Sequence, residues 1–317
     1  MVVGGPGMTK YSAIELCAGA GGQALGLEMA GFSHRALVEI DADCCRTCRL
    51  NRPNWNVIEA DLRHVSVRNF EGVDLVAGGL PCPPFSVAGK QLGEKDERNL
   101  FEDALRLVRE IQPKAVLIEN VRGFLSKSFE TYRAKLRNQF EDLGYTLEIH
   151  KINSSDFGVS QLRPRVVVLA LRHDIWPFFN VPSPDESQAP SVGDLLRDLM
   201  AANGWKQAKA WSKRANEIAP TIVGGSKKHG GPDLGPTRAR AAWQKLGVNG
   251  KSVAEAYLIF GERKVVVILR TVAGRGLFIG AGFILVGAIG LLRFNDPMTR
   301  LHAPTKVGTL LGRMPMI

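Results

Sequence analysis

The stretch Leu16-Cys17-Ala18-Gly19-Ala20-Gly21-Gly22 decides the fold, because it ends an apolar run that begins at Ser12. Glycines at such a place let the backbone turn tightly and approach a ligand closely. A Gly-x-Gly pair alone is a weak signal. Its position directly after an apolar run is nevertheless typical of the first strand-to-helix turn of a nucleotide-binding sheet.

Further apolar runs alternate with helical patterns on the C-terminal side of this turn. The runs cover residues 36–39, 56–60, 74–77, 115–118 and 166–171. Helices are expected over Leu100–Ile111, where apolar residues recur at helical spacing, and over Ser128–Leu143. This alternation of strands and helices predicts an α/β fold with a doubly wound, Rossmann-like sheet.

Chemically versatile residues follow several of these runs. Glu39, Asp61 and Glu119 each come at or just after the end of a run, and Cys82 stands between prolines after the run 74–77. In an open parallel sheet the carboxyl ends of the strands line one crevice, where ligands bind. The alternatives are helix N-caps or strand-end charges for Glu39 and Asp61, and a small buried hydrophobe for Cys82.

Two arginines precede the last run, in Gln161-Leu162-Arg163-Pro164-Arg165. Residues two apart in an extended chain point to the same side, so Arg163 and Arg165 would act together. An ordinary surface pair is the alternative.

Charge and cysteine content restrict the partners and the compartment. The formal charge is +10, but residues 1–200 carry 23 Lys and Arg against 26 Asp and Glu, whereas residues 201–251 carry 10 against 2. The basic stretch indicates a polyanion partner, with a solvated surface as the alternative. Five cysteines at irregular spacing argue against a disulfide framework and favour the cytoplasm; the lone Cys45-x-x-Cys48 pair gives no reason to expect zinc or any other metal.

The ordered motifs resemble those of the DNA (cytosine-5) methyltransferase family. They are Cys-Ala-Gly-Ala-Gly-Gly at 17–22, Glu39-Ile40-Asp41, Asp61, Pro81-Cys82-Pro83-Pro84-Phe85-Ser86, Glu119-Asn120-Val121 and Gln161-Leu162-Arg163-Pro164-Arg165. The resemblance covers roughly residues 11–172. It implies a methyltransferase that moves a methyl group from S-adenosylmethionine to C5 of a cytosine flipped out of double-stranded DNA.

The resemblance also implies a role for each motif in the chemistry. Cys82 would add to cytosine C6, Glu119 would hold or protonate N3, and Arg165, supported by Arg163, would contact O2. The cofactor would be bound by residues of the glycine loop and of the next strand ends. These residues are Cys17, Ala18, Gly19, Gly21, Gly22, Glu39 for the ribose, Ile40 for the adenine ring, Asp61 for the adenine amino group, and Pro81. Cys17 stands where the family most often has Phe.

By the same resemblance, the chain divides into a catalytic domain at 11–176, a smaller target-recognition region at 177–256 and an atypical hydrophobic tail at 257–317. The recognition region offers groups for DNA phosphates and grooves. These are Lys206, Lys209, Lys213, Arg214, Thr221, Lys227, Lys228, Arg238 and Arg240. Which of them read base edges does not follow from the sequence.

The tail does not resemble a methyltransferase. Two further motifs of that family are not found after Ala256. Instead, the segment around Gly287–Pro297 and Thr299–Lys306 resembles a small membrane subunit of multisubunit cation/proton antiporters, over about residues 265–312. Val272–Leu292 has one charge in 21 residues, which suits a membrane helix.

Two functions therefore follow from the sequence. The first is a monomeric, bacterial cytoplasmic methyltransferase, serving with a paired restriction endonuclease. The second is a catalytically impaired DNA-binding remnant fused to a membrane-subunit fragment, whose tail would associate with membranes.

Overall fold

The computed structural model describes residues 11–66, 68–81, 99–181, 189–202, 204–221 and 237–248. The chain divides into two compact units. The first comprises residues 1–152 and 164–182, and the second comprises residues 153–163 and 183–317. Segment 153–163 thus groups with the second unit, although the expected catalytic domain at 11–176 includes it.

The first unit contains a seven-stranded sheet with the order β3-β2-β1-β4-β5-β8-β6. Its strands are β1 (Tyr11–Leu16), β2 (Phe32–Glu39), β3 (Val57–Glu59), β4 (Leu75–Gly78), β5 (Ala115–Asn120), β6 (Tyr145–Asn153) and β8 (Pro164–Arg172). β1 to β5 pair in parallel, whereas β8 pairs antiparallel with β5. The order reverses between β1 and β4, which is the switch point at which open α/β sheets bind ligands.

Helices cover both faces of this sheet. They are α1 (Gly22–Met29), α2 (Ala42–Asn51), α3 (Phe101–Ile111) and α4 (Glu130–Asp142). The larger core packs α3 and α4 against the strands, and smaller clusters pack α1 and α2 against the other face. Because central strands are covered on both sides, they are almost continuously apolar, which is why the sequence reveals them. The predicted Rossmann-like α/β fold is confirmed.

The sheet differs from the expectation in one strand. The sequence gives six apolar runs, but β6 is a further strand that none of them covers. Most residues of β6 after Leu147 are only partly buried, because β6 lies at the edge of the sheet and polar residues are tolerated there. It therefore has no continuous apolar signal.

The second unit is smaller and mainly helical. It contains β7 (Gln161–Leu162), α5 (Val192–Ala201), α6 (Ala208–Arg214), β9 (Ala219–Pro220) and α7 (Thr237–Lys245). Its own core includes Trp211 and Trp243, and Ser191 caps the start of α5 by accepting the Asp194 N–H at 3.1 Å. No helix in the described parts of the chain is long and apolar enough to cross a membrane. The candidate span 272–292 lies outside the described residues.

Candidate functional site

The pairing register brings the carboxyl ends of the parallel strands to one edge of the sheet. Leu16 at the end of β1 lies opposite Val38 of β2 and Gly78 of β4, and Gly78 lies opposite Ile118 of β5. Antiparallel β8 begins at the same edge, where Val166 pairs with the last residue of β5. Residues just after β1 to β5 and at the start of β8 therefore share this edge.

The glycine loop follows β1 as a tight turn. The Gly21 N–H donates to the Ala18 carbonyl oxygen at 3.0 Å, and Gly21 is the N-cap of α1. Gly21 has φ +84° and Gly19 has φ +54°, which are left-handed conformations that favour glycine. Among the described residues, a Cβ at Gly19 would meet nothing within 4 Å, so they leave this side of the loop open to a ligand.

Cys17 is an unusual first residue for this loop. Its φ of +53° is uncommon for a residue with a side chain and is a local strain. Burial, with the carboxylates of Glu39 and Asp61 contributing, raises the pKa of the Cys17 thiol to about 12. Cys17 is therefore a neutral, partly buried side chain against the main core.

Glu39 connects β2 to the glycine loop through its carboxylate. Oε2 accepts the Gly19 N–H at 2.7 Å. Oε1 accepts the N–H groups of Ile40 at 2.9 Å and Asp41 at 2.8 Å. The side chain is 8% exposed, so these bonds lie in a largely water-free place. Glu39 thus holds the backbone of two neighbouring strand ends in a fixed relation.

Ile40 and Asp61 continue the same edge. Ile40 is 65% exposed, which is unusual for an apolar side chain beside a buried glutamate and leaves a surface for a flat apolar ligand. Asp61 caps a short 3-10 helix (Leu62–His64) and forms a two-pronged pair with the Arg63 guanidinium, with Nη2 to Oδ2 at 2.6 Å. Hydrogen bonds from Arg63 lower the pKa of Asp61 to about 2, so it is a carboxylate at neutral pH.

The end of β4 packs closely on the end of β1. A Cβ at Gly78 would lie 2.7 Å from the Leu16 carbonyl oxygen, so only glycine fits there. The Gly79 N–H donates to the same oxygen at 3.3 Å. Pro81 is the last described residue of this segment, and Cys82, the predicted nucleophile, lies outside the described residues.

An ion pair occupies the carboxyl end of β5. Arg165 Nε lies 2.5 Å from Glu119 Oε1, and both side chains are largely withdrawn from solvent, at 20% and 31% exposure. Arg165 Nη1 also donates to the Pro164 carbonyl oxygen at 2.9 Å, which fixes the guanidinium. The structure thus brings together two residues that are 46 positions apart in sequence. By the family resemblance, both are expected to contact the target cytosine.

Arg163 groups with the second unit, where its carbonyl oxygen accepts the Ser154 N–H at 3.3 Å and its own N–H donates to the Gln161 carbonyl oxygen at 2.9 Å. It lies between β7 and β8, and its expected action together with Arg165 stays a prediction.

The predicted DNA-contacting residues of the second unit are mostly exposed. Lys206, Lys209, Lys213 and Arg214 are exposed residues in or next to α6, and Arg238 and Arg240 lie on α7. Thr221 follows β9 and donates its hydroxyl to the Leu162 carbonyl oxygen. Lys227 and Lys228 lie outside the described residues.

Several residues at the site edge carry no signal in the sequence. Glu15 is fully buried beneath α1, and burial raises the pKa of its carboxyl to about 8 against a backbone hydrogen bond from Ala24 that lowers it. Cys48 donates its thiol to the Gly19 carbonyl oxygen at 3.4 Å, and Trp55 packs against Gly21. These contacts form only when the strands assemble, so no local sequence pattern predicts them.

Comparison with known proteins identifies the family of this chain and agrees with its fold. The family model for C-5 cytosine-specific DNA methylases matches residues 11–245, and the chain belongs to that family. Type II methyltransferase M.NaeI of Lentzea aerocolonigenes is 52% identical over 252 residues, covering 78% of this chain and 61% of the relative. Type II methyltransferase M.NgoMIV of Neisseria gonorrhoeae is 54% identical over 214 residues, covering 68% of this chain and 69% of the relative. The chain thus spans about three fifths to two thirds of these relatives.

A solved structure has the same fold. A mutant of Spodoptera frugiperda DNMT2 superposes with a TM-score of 0.58 at 19% identity, covering 96% of this chain and 95% of that one. At this identity the likeness concerns the fold alone.

The tail matches a different family. The family model of a Na+/H+ antiporter subunit matches residues 277–316. This confirms the resemblance that the sequence shows over about residues 265–312.

Proposed function

We propose that this chain transfers a methyl group from S-adenosylmethionine to C5 of cytosine in DNA, through a covalent adduct of Cys82 with the base. The observation that carries the proposal is the ion pair of Glu119 with Arg165 at the edge where β4 leads, through Pro81, to Cys82. Family membership and the two Type II relatives support the same reaction.

The glycine loop and the next two strand ends fit S-adenosylmethionine. The loop is open at Gly19, Ile40 offers an exposed apolar surface for adenine, and Glu39 and Asp61 offer carboxylate oxygens for ribose hydroxyls and the amino group. Arg63 already engages both oxygens of Asp61, so an adenine amino group would share this carboxylate with Arg63. Ala18, Gly22, Cys17 and Pro81 complete the proposed binding set. When bound, the cofactor supplies an electrophilic methyl group.

On the cytosine, the chain's residues would make C5 nucleophilic. The Cys82 thiolate adds to C6, which leaves an enamine whose C5 can accept the methyl group. Glu119 holds or protonates N3 and so neutralises the charge that the addition puts on the ring. Arg165 keeps Glu119 oriented and, with Arg163, faces O2. Loss of the C5 proton to a base and departure of the cysteine complete the reaction.

Double-stranded DNA is the proposed substrate, because the chain belongs to the C-5 cytosine-specific DNA methylases. In a duplex the C5 atom lies inside the base stack, so the cytosine would have to be flipped out. The basic residues proposed to pair with phosphates are Lys206, Lys209, Lys213 and Arg214 in or next to α6, Arg238 and Arg240 on α7, and Lys227 and Lys228. By analogy with the Type II relatives, we propose a restriction-modification setting with a paired endonuclease, a monomeric enzyme and a cytoplasmic location.

Covalent trapping tests this function directly. The full chain is incubated with S-adenosylmethionine and DNA that contains 5-fluorocytosine, which blocks the final proton loss and preserves the adduct. A stable protein–DNA adduct that disappears in Cys82→Ser is the expected result. DNA binding without any adduct would instead identify a catalytically impaired remnant. In a separate experiment, bisulfite sequencing of DNA from expressing cells gives the target site.

A further inference from the structure

The glycine loop is supported by Glu39 and by two side chains that no motif assigns, Cys48 and Trp55. Both backbone polar groups of Gly19 are hydrogen-bonded: its N–H donates to the Glu39 carboxylate, and its carbonyl oxygen accepts from the Cys48 thiol. Gly21 rests on Trp55: a Cβ built at Gly21 would lie 2.7 Å from Trp55 Cζ3 and 3.1 Å from Cys48 Sγ. The indole therefore fills the space beneath the left-handed turn that starts α1.

The indole is itself fixed by polar contacts to α1. Trp55 Nε1 donates to Glu28 Oε2 at 2.9 Å, and Arg52 Nε lies 3.3 Å from Glu28 Oε1. The Arg52 guanidinium carbon lies 5.9 Å from the centre of the indole, and the His34 ring meets the indole edge-on at 5.3 Å. Trp55 thus connects the segment after α2 to both ends of α1, at Gly21 and at Glu28.

We propose that Trp55, fixed by Glu28 and Arg52, is a positioning residue that sets the shape of the glycine loop and thereby the affinity for S-adenosylmethionine. This inference rests on the proposed function, because the loop is taken to bind that cofactor. Trp55 does not reach the reacting atoms through the contacts seen here; it acts through Gly21. Its effect therefore belongs to cofactor binding and not to the methyl-transfer step.

Removing the indole would leave the turn at Gly21 unsupported, so cofactor binding would have to order it. We expect Trp55→Ala to raise the dissociation constant and KM for S-adenosylmethionine about tenfold, which corresponds to ~1.4 kcal/mol. The kcat at saturating cofactor and the KM for DNA should stay within about twofold of the unmodified chain. Trp55→Phe, which keeps an aromatic ring, should restore part of the affinity.

The measurements are calorimetric titration of the full chain with S-adenosylmethionine and amide hydrogen exchange without cofactor. Exchange of the peptide that contains the glycine loop should accelerate in Trp55→Ala, while peptides of β5 should not change. Trp176→Ala is the matched control, since Trp176 pairs with Phe179 after β8 and has no contact with the loop among those described. If Trp55→Ala does not fold, cofactor binding is compared between Glu28→Leu and Glu28→Gln, because only Gln keeps an acceptor for the indole N–H.

The possible results distinguish a failure of the positioning role of Trp55 from a failure of the proposed methyltransferase function. Weaker cofactor binding in Trp55→Ala or Glu28→Leu, with Trp176→Ala and Glu28→Gln unchanged, supports the positioning role. If S-adenosylmethionine binds Trp55→Ala as tightly as the unmodified chain, the positioning role is wrong and the methyltransferase proposal stands. If Trp55→Ala does not fold, unchanged binding to Glu28→Leu leads to the same conclusion. An unmodified chain that binds no S-adenosylmethionine refutes both.

Discussion

Replacing Glu39 by Gln tests whether this side chain shapes the glycine loop before any cofactor is bound. In the family interpretation, Glu39 binds the ribose. In the structure its two oxygens already accept three backbone N–H groups, from Gly19, Ile40 and Asp41. A pure ribose ligand would affect only cofactor binding, whereas a loop organiser would also affect the stability of the free protein.

The expected magnitude follows from the three hydrogen bonds. A glutamine at position 39 keeps one carbonyl oxygen, which can still accept from Ile40 and Asp41. Its amide N–H₂ then faces the Gly19 N–H, so one partly buried donor loses its acceptor at a cost of about 1–3 kcal/mol. The remaining bonds also lose their ionic character. We therefore expect a loss of about 2–3 kcal/mol in the free energy of unfolding.

Urea unfolding of cofactor-free protein measures this loss, and titration with S-adenosylmethionine measures the effect on binding. Glu59→Gln is the matched control: Glu59 ends the neighbouring strand, but it is exposed and its ion pair with Arg49 at 2.9 Å is worth less than about 1 kcal/mol. If Glu39→Gln weakens cofactor binding but unfolds at the same urea concentration as the unmodified chain, Glu39 is a ligand only and the organising role is wrong.

Three further outcomes follow from the same sheet edge. Burial raises the pKa of Glu15 in the folded state to about 8 from an ordinary 4.5, so the folded protein loses stability as pH rises from 4.5 to 8. A glutamine at this position cannot ionise. We therefore expect the free energy of unfolding of Glu15→Gln, measured in urea, to equal that of the unmodified chain at pH 4.5 and to become increasingly larger up to pH 8. Gly78→Ala should lower the free energy of unfolding by about 1–3 kcal/mol, because its Cβ would press on the Leu16 carbonyl oxygen; an unchanged urea midpoint would contradict that contact. Arg165→Ala, which removes the partner of Glu119, should reduce the kcat of methylation at least about 100-fold with S-adenosylmethionine affinity unchanged, as measured by methyl incorporation and calorimetry.

The sequence predicts the sheet well because buried parallel strands have a simple signature. The runs ending at Leu16, Glu39 and Ala60 all correspond to strands, and the residues at their ends fall on the expected edge. The partly exposed edge strand β6 has no such run, so it escapes the same reasoning. Burial on both faces makes the central strands visible in the sequence, whereas the other edge strand, β3, is found from a short apolar run although it is only partly buried.

The residues of the candidate site can be predicted from the sequence only where they belong to a recognisable motif. Glu119 and Arg165 are paired by the antiparallel return of β8, and the motif order anticipates that both act on the base. The support beneath the glycine loop depends on Trp55, which lies 34 positions after Gly21 in an ordinary turn sequence. Its role depends on which strands become neighbours, and neither spacing nor composition contains that information.

The thiols of the first unit bear on which cysteine can serve as the nucleophile. Burial is the main cause that raises the pKa of Cys17 to about 12, of Cys45 to about 11 and of Cys48 to about 12, and it raises that of Cys44 as well. The thiols at 45 and 48 each donate to a backbone carbonyl oxygen at 3.4 Å, which only the protonated form can do. Since the thiolate is the nucleophilic form, these four side chains are poor candidates at neutral pH. This supports the proposal that the nucleophile is the fifth cysteine of the chain, Cys82, which directly follows Pro81 in the sequence.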